Sequence, residues 1–127
     1  MYKILVIEDN ALFLKAFLFL FEEKGWQVIG TQTGRLGLQL AKEQMPDLII
    51  CDVNIPGIDG FDILKALRHD LVTQEIPFIF LTAEPNDRDR LRALKLGADD
   101  YLDKFLPNGE LIHAIATQLK LINLASV

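Results

Sequence analysis

Five polar residues stand where short apolar runs of this chain end. Glu8 and Asp9 follow residues 3–7, Asp52 follows residues 48–51, Thr82 follows residues 78–81, and Lys104 comes three residues after Tyr101. An unbroken apolar run bounded by turn residues reads as a parallel strand buried on both faces, so its last residue emerges at the rim of a sheet. In an open sheet of such strands, ligands bind beyond the carboxyl ends. Three carboxylates, one hydroxyl and one ammonium therefore converge on one edge. Like charges at close quarters repel and raise at least one pKa unless a cation neutralises them. All-oxygen ligands select a hard cation, for which Mg²⁺ is the natural candidate. Each residue alone has a plainer reading: Glu8, Asp9 or Asp52 as a cap, Lys104 as a solvated surface residue. Set at the ends of separate strands, they are better explained by shared chemistry.

The elements that must position them alternate five times. Residues 3–7 form a strand, and Asn10 caps a helix to about residue 24, where Gly25 stops it. Residues 27–31 form a weaker strand, followed after Gly34 by helical spacing of Leu36, Leu40 and Ala41 that ends at Met45 before Pro46. The run at 48–52 is the central strand; Pro56 and Gly57 turn the chain, and Asp59 and Gly60 lead into an amphipathic helix with Ile63, Leu64, Ala66 and Leu67. A strand at 78–81 precedes a helix from about 87 to 96, and a strand at 100–102 precedes a helix from 107 to about 121. Five strand–helix repeats with right-handed crossovers close into a three-layer sandwich and are too few for an eight-fold barrel.

At 127 residues, half of them apolar, the chain suits one domain over residues 1–127, with no linker or low-complexity segment. The formal charge of −5 and the lack of a basic cluster argue against direct nucleic-acid binding. Cys51, the sole cysteine, lies in an apolar run, which excludes an internal disulfide and fits a reducing compartment. With no signal-peptide pattern at the N-terminus, the expected location is the cytoplasm.

The order of these residues resembles the receiver domain of two-component response regulators: an acidic pair, a phospho-accepting Asp, a Thr or Ser, and a Lys. Asp52 to Gly60 is similar to that family's Asp-x-x-Met-Pro-x-Met-Asp-Gly, with Ile55 and Ile58 in the Met places, and Gly97, Ala98, Asp99, Asp100 and Tyr101 also match its wording. The resemblance covers nearly the whole chain. It implies an α/β, flavodoxin-like (βα)5 three-layer sandwich whose parallel five-stranded sheet has the order 2-1-3-4-5. It also implies transfer of a phosphoryl group from a histidine kinase, a histidine phosphotransfer protein or a small phosphodonor to Asp52. On that reading Asp52 is nucleophile and Mg²⁺ ligand, Asp9 binds the metal directly, Glu8 through water and Asn54 through its backbone carbonyl. Lys104 pairs with the phosphoryl oxygens, Thr82 turns its hydroxyl to the new group, and Tyr101 swings inward, coupling chemistry to docking of a downstream protein target.

Two other readings remain open. A phosphotransferase of the haloacid dehalogenase type also uses Mg²⁺ and a nucleophilic Asp after a strand, but it places a general-acid Asp two positions later, where this chain has Asn54. A pseudo-receiver would work by docking alone, without phosphate.

Two features depart from the family's wording. Pro usually follows the Lys, commonly after a cis peptide; here Phe105 follows Lys104, and a cis bond before a residue other than proline costs about 2.5 to 4 kcal/mol. A trans Lys104–Phe105 bond is expected, in a locally rearranged loop. Ala114 and Ala116 stand where DNA-binding members often carry Arg, so a monomer or weak dimer is expected, and His113 reads as a surface residue. In the first helix Phe13, Ala16, Phe17, Leu20 and Phe21 fall on a core-facing stripe. Leu14, Leu18 and Phe19 fall elsewhere, and Leu14 and Leu18 are expected to dock the phosphodonor protein. The apolar run there is interrupted by Lys15 and is about half the roughly 20 residues of a membrane span, so no membrane insertion is expected.

Overall fold

The computed structural model describes residues 1–125. Its elements run β1 (Lys3–Ile7), α1 (Ala11–Glu22), β2 (Gln27–Thr31), α2 (Gly34–Gln44), β3 (Leu48–Asp52), α3 (Gly60–Arg68), β4 (Phe78–Thr82), α4 (Asp87–Lys95), β5 (Asp100–Asp103) and α5 (Asn108–Ala125). All strand pairs are parallel, in the order β2-β1-β3-β4-β5. This is the flavodoxin-like order expected. Because β1 pairs with β2 on one side and β3 on the other, the strand order reverses between β1 and β3, where such folds open a crevice.

Alternation along the strands builds two cores. Leu5, Ile7, Ile49, Cys51, Phe78, Phe80 and Tyr101 face Ala41, Ile63, Leu64, Leu67 and Ala93 of α2, α3 and α4. Ile4, Val6, Leu48, Ile50, Ile79 and Leu81 face Phe17 and Phe21 of α1 and Leu111, Ile115 and Leu119 of α5. Both faces of β3 and β4 are covered, which is why those sequences read as continuous apolar runs. Among the described residues no helix is long and apolar enough to cross a membrane.

The helices differ from expectation in which residues they bury. Leu14 and Leu18 do not face out: both are half-buried, and a Cβ at Gly30 of β2 would meet Leu14 at 2.9 Å and Leu18 at 3.1 Å. A strand glycine offers no side chain of its own, so the helix above supplies the cover. Ala16, expected inward, is exposed, and the large apolar residues of α1 left in solvent are Leu12 (80 % exposed) and Phe19 (68 %). Similarly Leu36 and Ala66 are exposed, while Gly34, Gly37 and Ala41 form the buried face of α2. Ile7 fills the space a side chain at Gly37 would need.

Candidate functional site

The site lies at the carboxyl ends of β1, β3, β4 and β5, and local sequence explains how each residue arrives there. Asn10 caps α1, its side chain accepting from the N–H groups of Leu12 (3.0 Å) and Phe13 (3.1 Å). That cap leaves Glu8 and Asp9 at the start of the turn, and Glu8 accepts from the Asn10 N–H at 3.1 Å. Asp52 is the last residue of β3 and accepts from the Asn54 N–H at 3.2 Å. The chain then turns through Gly57, at φ +91°, and Asp59 caps α3 by accepting from the Asp62 N–H. A Cβ at Gly60 would collide with the Asp52 carbonyl and the Phe80 ring, so only glycine lets α3 start this close to the acceptor strand.

Glu8, Asp9 and Asp52 each offer a carboxylate oxygen within 4.8 Å of the others. Lys104 arrives from the end of β5, its backbone N–H donating to the Thr82 carbonyl at 2.8 Å. Its ammonium lies 2.8 Å from Asp52 Oδ2 and 2.5 Å from Glu8 Oε1. All peptide bonds among the described residues are trans, as expected for Lys104–Phe105, and with Phe105 in place of proline Lys104 still reaches the acceptor. Asn54 is exposed and lines, with Asp9, Ile55, Pro56 and Asp59, a cleft of about 300 Å³ beside the cluster.

Burial governs the electrostatics. It pushes the Glu8 carboxyl up to about 7, with Asp52 acting the same way, against the lowering effect of Lys104 and the Asn10 N–H. For Lys104 burial acts downward, but the contacts with Asp52 and Glu8 outweigh it and raise its pKa. The cluster thus sets three carboxylates against one ammonium, and burial shifts Glu8 toward its neutral form.

Thr82 ends β4 and is buried; its hydroxyl oxygen accepts from the Glu84 N–H at 3.2 Å. Tyr101, expected to move inward as part of a switch, already has its ring inside, 2 % exposed. Its hydroxyl accepts from the Asn86 N–H at 3.3 Å, and the Arg90 guanidinium lies 4.9 Å above the ring while donating to the Tyr101 carbonyl. Sequence reasoning brought together Glu8, Asp9, Asp52, Thr82 and Lys104, but not Arg90, whose signal is only its place on the first turns of an exposed helix. It also missed Phe13 as a neighbour of the site: the ring centroid is 4.8 Å from the Lys104 ammonium.

Comparison with known proteins points to one family. The family model described as the response regulator receiver domain matches residues 4–116. The phosphate regulon transcriptional regulatory protein PhoB of Escherichia coli (strain K12) is 34 % identical over 121 residues, covering 95 % of this chain and 53 % of PhoB. The chain therefore spans about half the length of such curated relatives. The polar-differentiation response regulator DivK of Brucella ovis is 34 % identical over 116 residues, 91 % of this chain and 94 % of DivK. A response regulator receiver domain protein from Clostridium thermocellum superposes with a TM-score of 0.90 at 30 % identity, over 98 % of this chain and 99 % of that one.

Proposed function

The chain belongs to the response regulator receiver domain family, and on that premise we propose that it is a phospho-accepting signalling domain whose acceptor is Asp52. Receiver domains are signalling domains of two-component systems. The observation that carries the reading is Asp52 itself, ending a central strand with Lys104 at 2.8 Å, two further carboxylates beside it and the buried Thr82 hydroxyl on the neighbouring strand end.

In the reaction an Asp52 carboxylate oxygen forms a bond to the donor phosphorus while the phosphorus–nitrogen bond to a phosphohistidine breaks, its electron pair remaining on the imidazole. Acetyl phosphate would serve equally, with a carboxylate leaving. Such transfer needs positioning and charge neutralisation more than covalent help. Lys104 follows the phosphoryl oxygens, and Thr82 donates its hydroxyl to one of them. Thr82 and Tyr101 then carry the change to the surface. The chain catalyses only its own phosphorylation and dephosphorylation.

Receiver domains in general bind Mg²⁺, and the donor set here fits a hard cation: clustered carboxylate oxygens whose negative charge a single ammonium does not balance. Glu8, Asp9, Asp52 and the Asn54 carbonyl would hold it, and it would supply neutralisation of charge on the phosphoryl oxygens. The phosphodonor is a histidine kinase or histidine phosphotransfer protein, and the output is docking of a downstream protein target by a monomer or weak dimer in the cytoplasm. The acidic balance of −5 supports protein partners over nucleic acid.

Intact mass after incubation with acetyl phosphate and Mg²⁺ tests the reading. One phosphoryl group should be gained by the native chain and none by Asp52→Asn; equal gain by both would refute it.

A further inference from the structure

Phe13 lies in the first turn of α1 and is half-buried, where an aliphatic side chain would fill the same core position. Its surroundings say more than packing. The ring centroid lies 4.8 Å from Lys104 Nζ. Phe105, the residue directly after Lys104, packs edge-on against the same ring with centroids 5.6 Å apart and planes at 63°. One aromatic ring thus touches both the far end of the lysine side chain and the residue that continues its backbone. On the side toward α1, Phe17 backs Phe13 at 5.9 Å.

The environment makes this contact strong. The Lys104 side chain is 6 % exposed, and two of its ammonium protons are engaged by Asp52 at 2.8 Å and Glu8 at 2.5 Å. The negative face of a ring attracts a cation most where water is excluded. A lysine stem has several rotatable bonds, and the ring removes some of that freedom in advance. Phe105 occupies the place where the family's wording has proline, so the loop after Lys104 lacks that fixed backbone, and the Phe13–Phe105 pair ties it to α1 instead.

We infer that Phe13 is a positioning residue for phosphoryl transfer: its ring, braced by Phe105, holds the Lys104 ammonium against the acceptor carboxylate, where the incoming phosphoryl oxygens need it. Phe13 touches neither donor nor acceptor and acts through Lys104. The inference rests on the phospho-accepting reading given above and deepens it by naming what holds the lysine.

The test compares Phe13→Leu, Phe13→Tyr and a chain carrying 3,4,5-trifluorophenylalanine at position 13. Leucine keeps apolar bulk without a π-face, tyrosine keeps the face, and fluorination keeps the shape while removing the negative charge of the face. Labelling by acetyl phosphate at saturating Mg²⁺ should slow about five-fold or more in Phe13→Leu. It should slow comparably in the trifluoro chain and stay near the native rate in Phe13→Tyr, with urea unfolding showing each variant folded. A packing role alone would leave the trifluoro chain at the native rate, and that result overturns the inference. A second readout does not depend on labelling: the Lys104 Cε protons should show an upfield ring-current shift that Phe13→Leu abolishes. If the native chain takes no phosphoryl group, the phospho-accepting reading fails by itself, while absence of that ring-current shift overturns the positioning of Lys104 by Phe13.

Discussion

Removing divalent metal should make this protein less stable as pH rises from about 5 to 7, the reverse of the usual behaviour of a paired carboxylate. Burial raises the Glu8 carboxyl from its ordinary 4.5 to about 7 in the folded chain. Between those values the folded state holds a proton that the unfolded state has lost. The stabilisation is fully present below 4.5 and disappears as pH passes through about 7. Each pKa unit corresponds to 1.36 kcal/mol, so the loss across that window is about 3 kcal/mol. Urea unfolding in a chelator at pH 5, 6, 7 and 8 measures it, with Glu8→Gln as the reference, because glutamine keeps the shape and cannot titrate. The native chain should lose stability relative to Glu8→Gln up to pH 7 and run parallel to it above. Mg²⁺ should reverse the trend, since it binds the ionised cluster, and its affinity should rise toward about ten-fold per pH unit below 7. Parallel profiles throughout, or native stability that rises with pH relative to Glu8→Gln in chelator, would refute the assignment of that proton to Glu8.

The acyl phosphate should be relatively short-lived, because Asn54 and Glu84, two positions beyond Asp52 and Thr82, are exposed and polar and leave a path for water. Replacing both with bulkier apolar residues should slow loss of label in a pulse-chase measurement, and an unchanged decay would count against that path. Docking of the donor protein is expected on the outward residues of α1, whose N-terminus adjoins the site. Leu12→Asp with Phe19→Asp should slow transfer from a phosphohistidine protein while leaving acetyl phosphate labelling intact. Leu14→Asp with Leu18→Asp should impair both donors, because those side chains cover Gly30 and their polar replacements would lift α1 from β2.

The layers, the strand ends and the acidic cluster were legible because they rest on local pattern. Residues 48–52 and 78–82 are apolar almost throughout, which only a strand covered on both faces requires, and such strands deliver Asp52 and Thr82 to the rim. The strand order was not legible from pattern; five similar repeats permit several orders, and resemblance to a family supplied it. Helix faces were the least legible. The wheel of α1 contains more apolar residues than one stripe holds, so whether Leu14 or Phe19 turned inward depended on Gly30, a residue of another element. For the same reason the inward position of Tyr101 could not be read from β5. It depends on Phe80, Asn86 and Arg90 meeting around the ring.

Where the phosphoryl group sits can be read directly. After labelling with acetyl phosphate and Mg²⁺, borohydride reduction converts an aspartyl phosphate to homoserine, and peptide mass mapping locates the change. Homoserine is expected at position 52 and nowhere else. Label at Asp9, at Glu8 or on a histidine, with Asp52 unmodified, would contradict it.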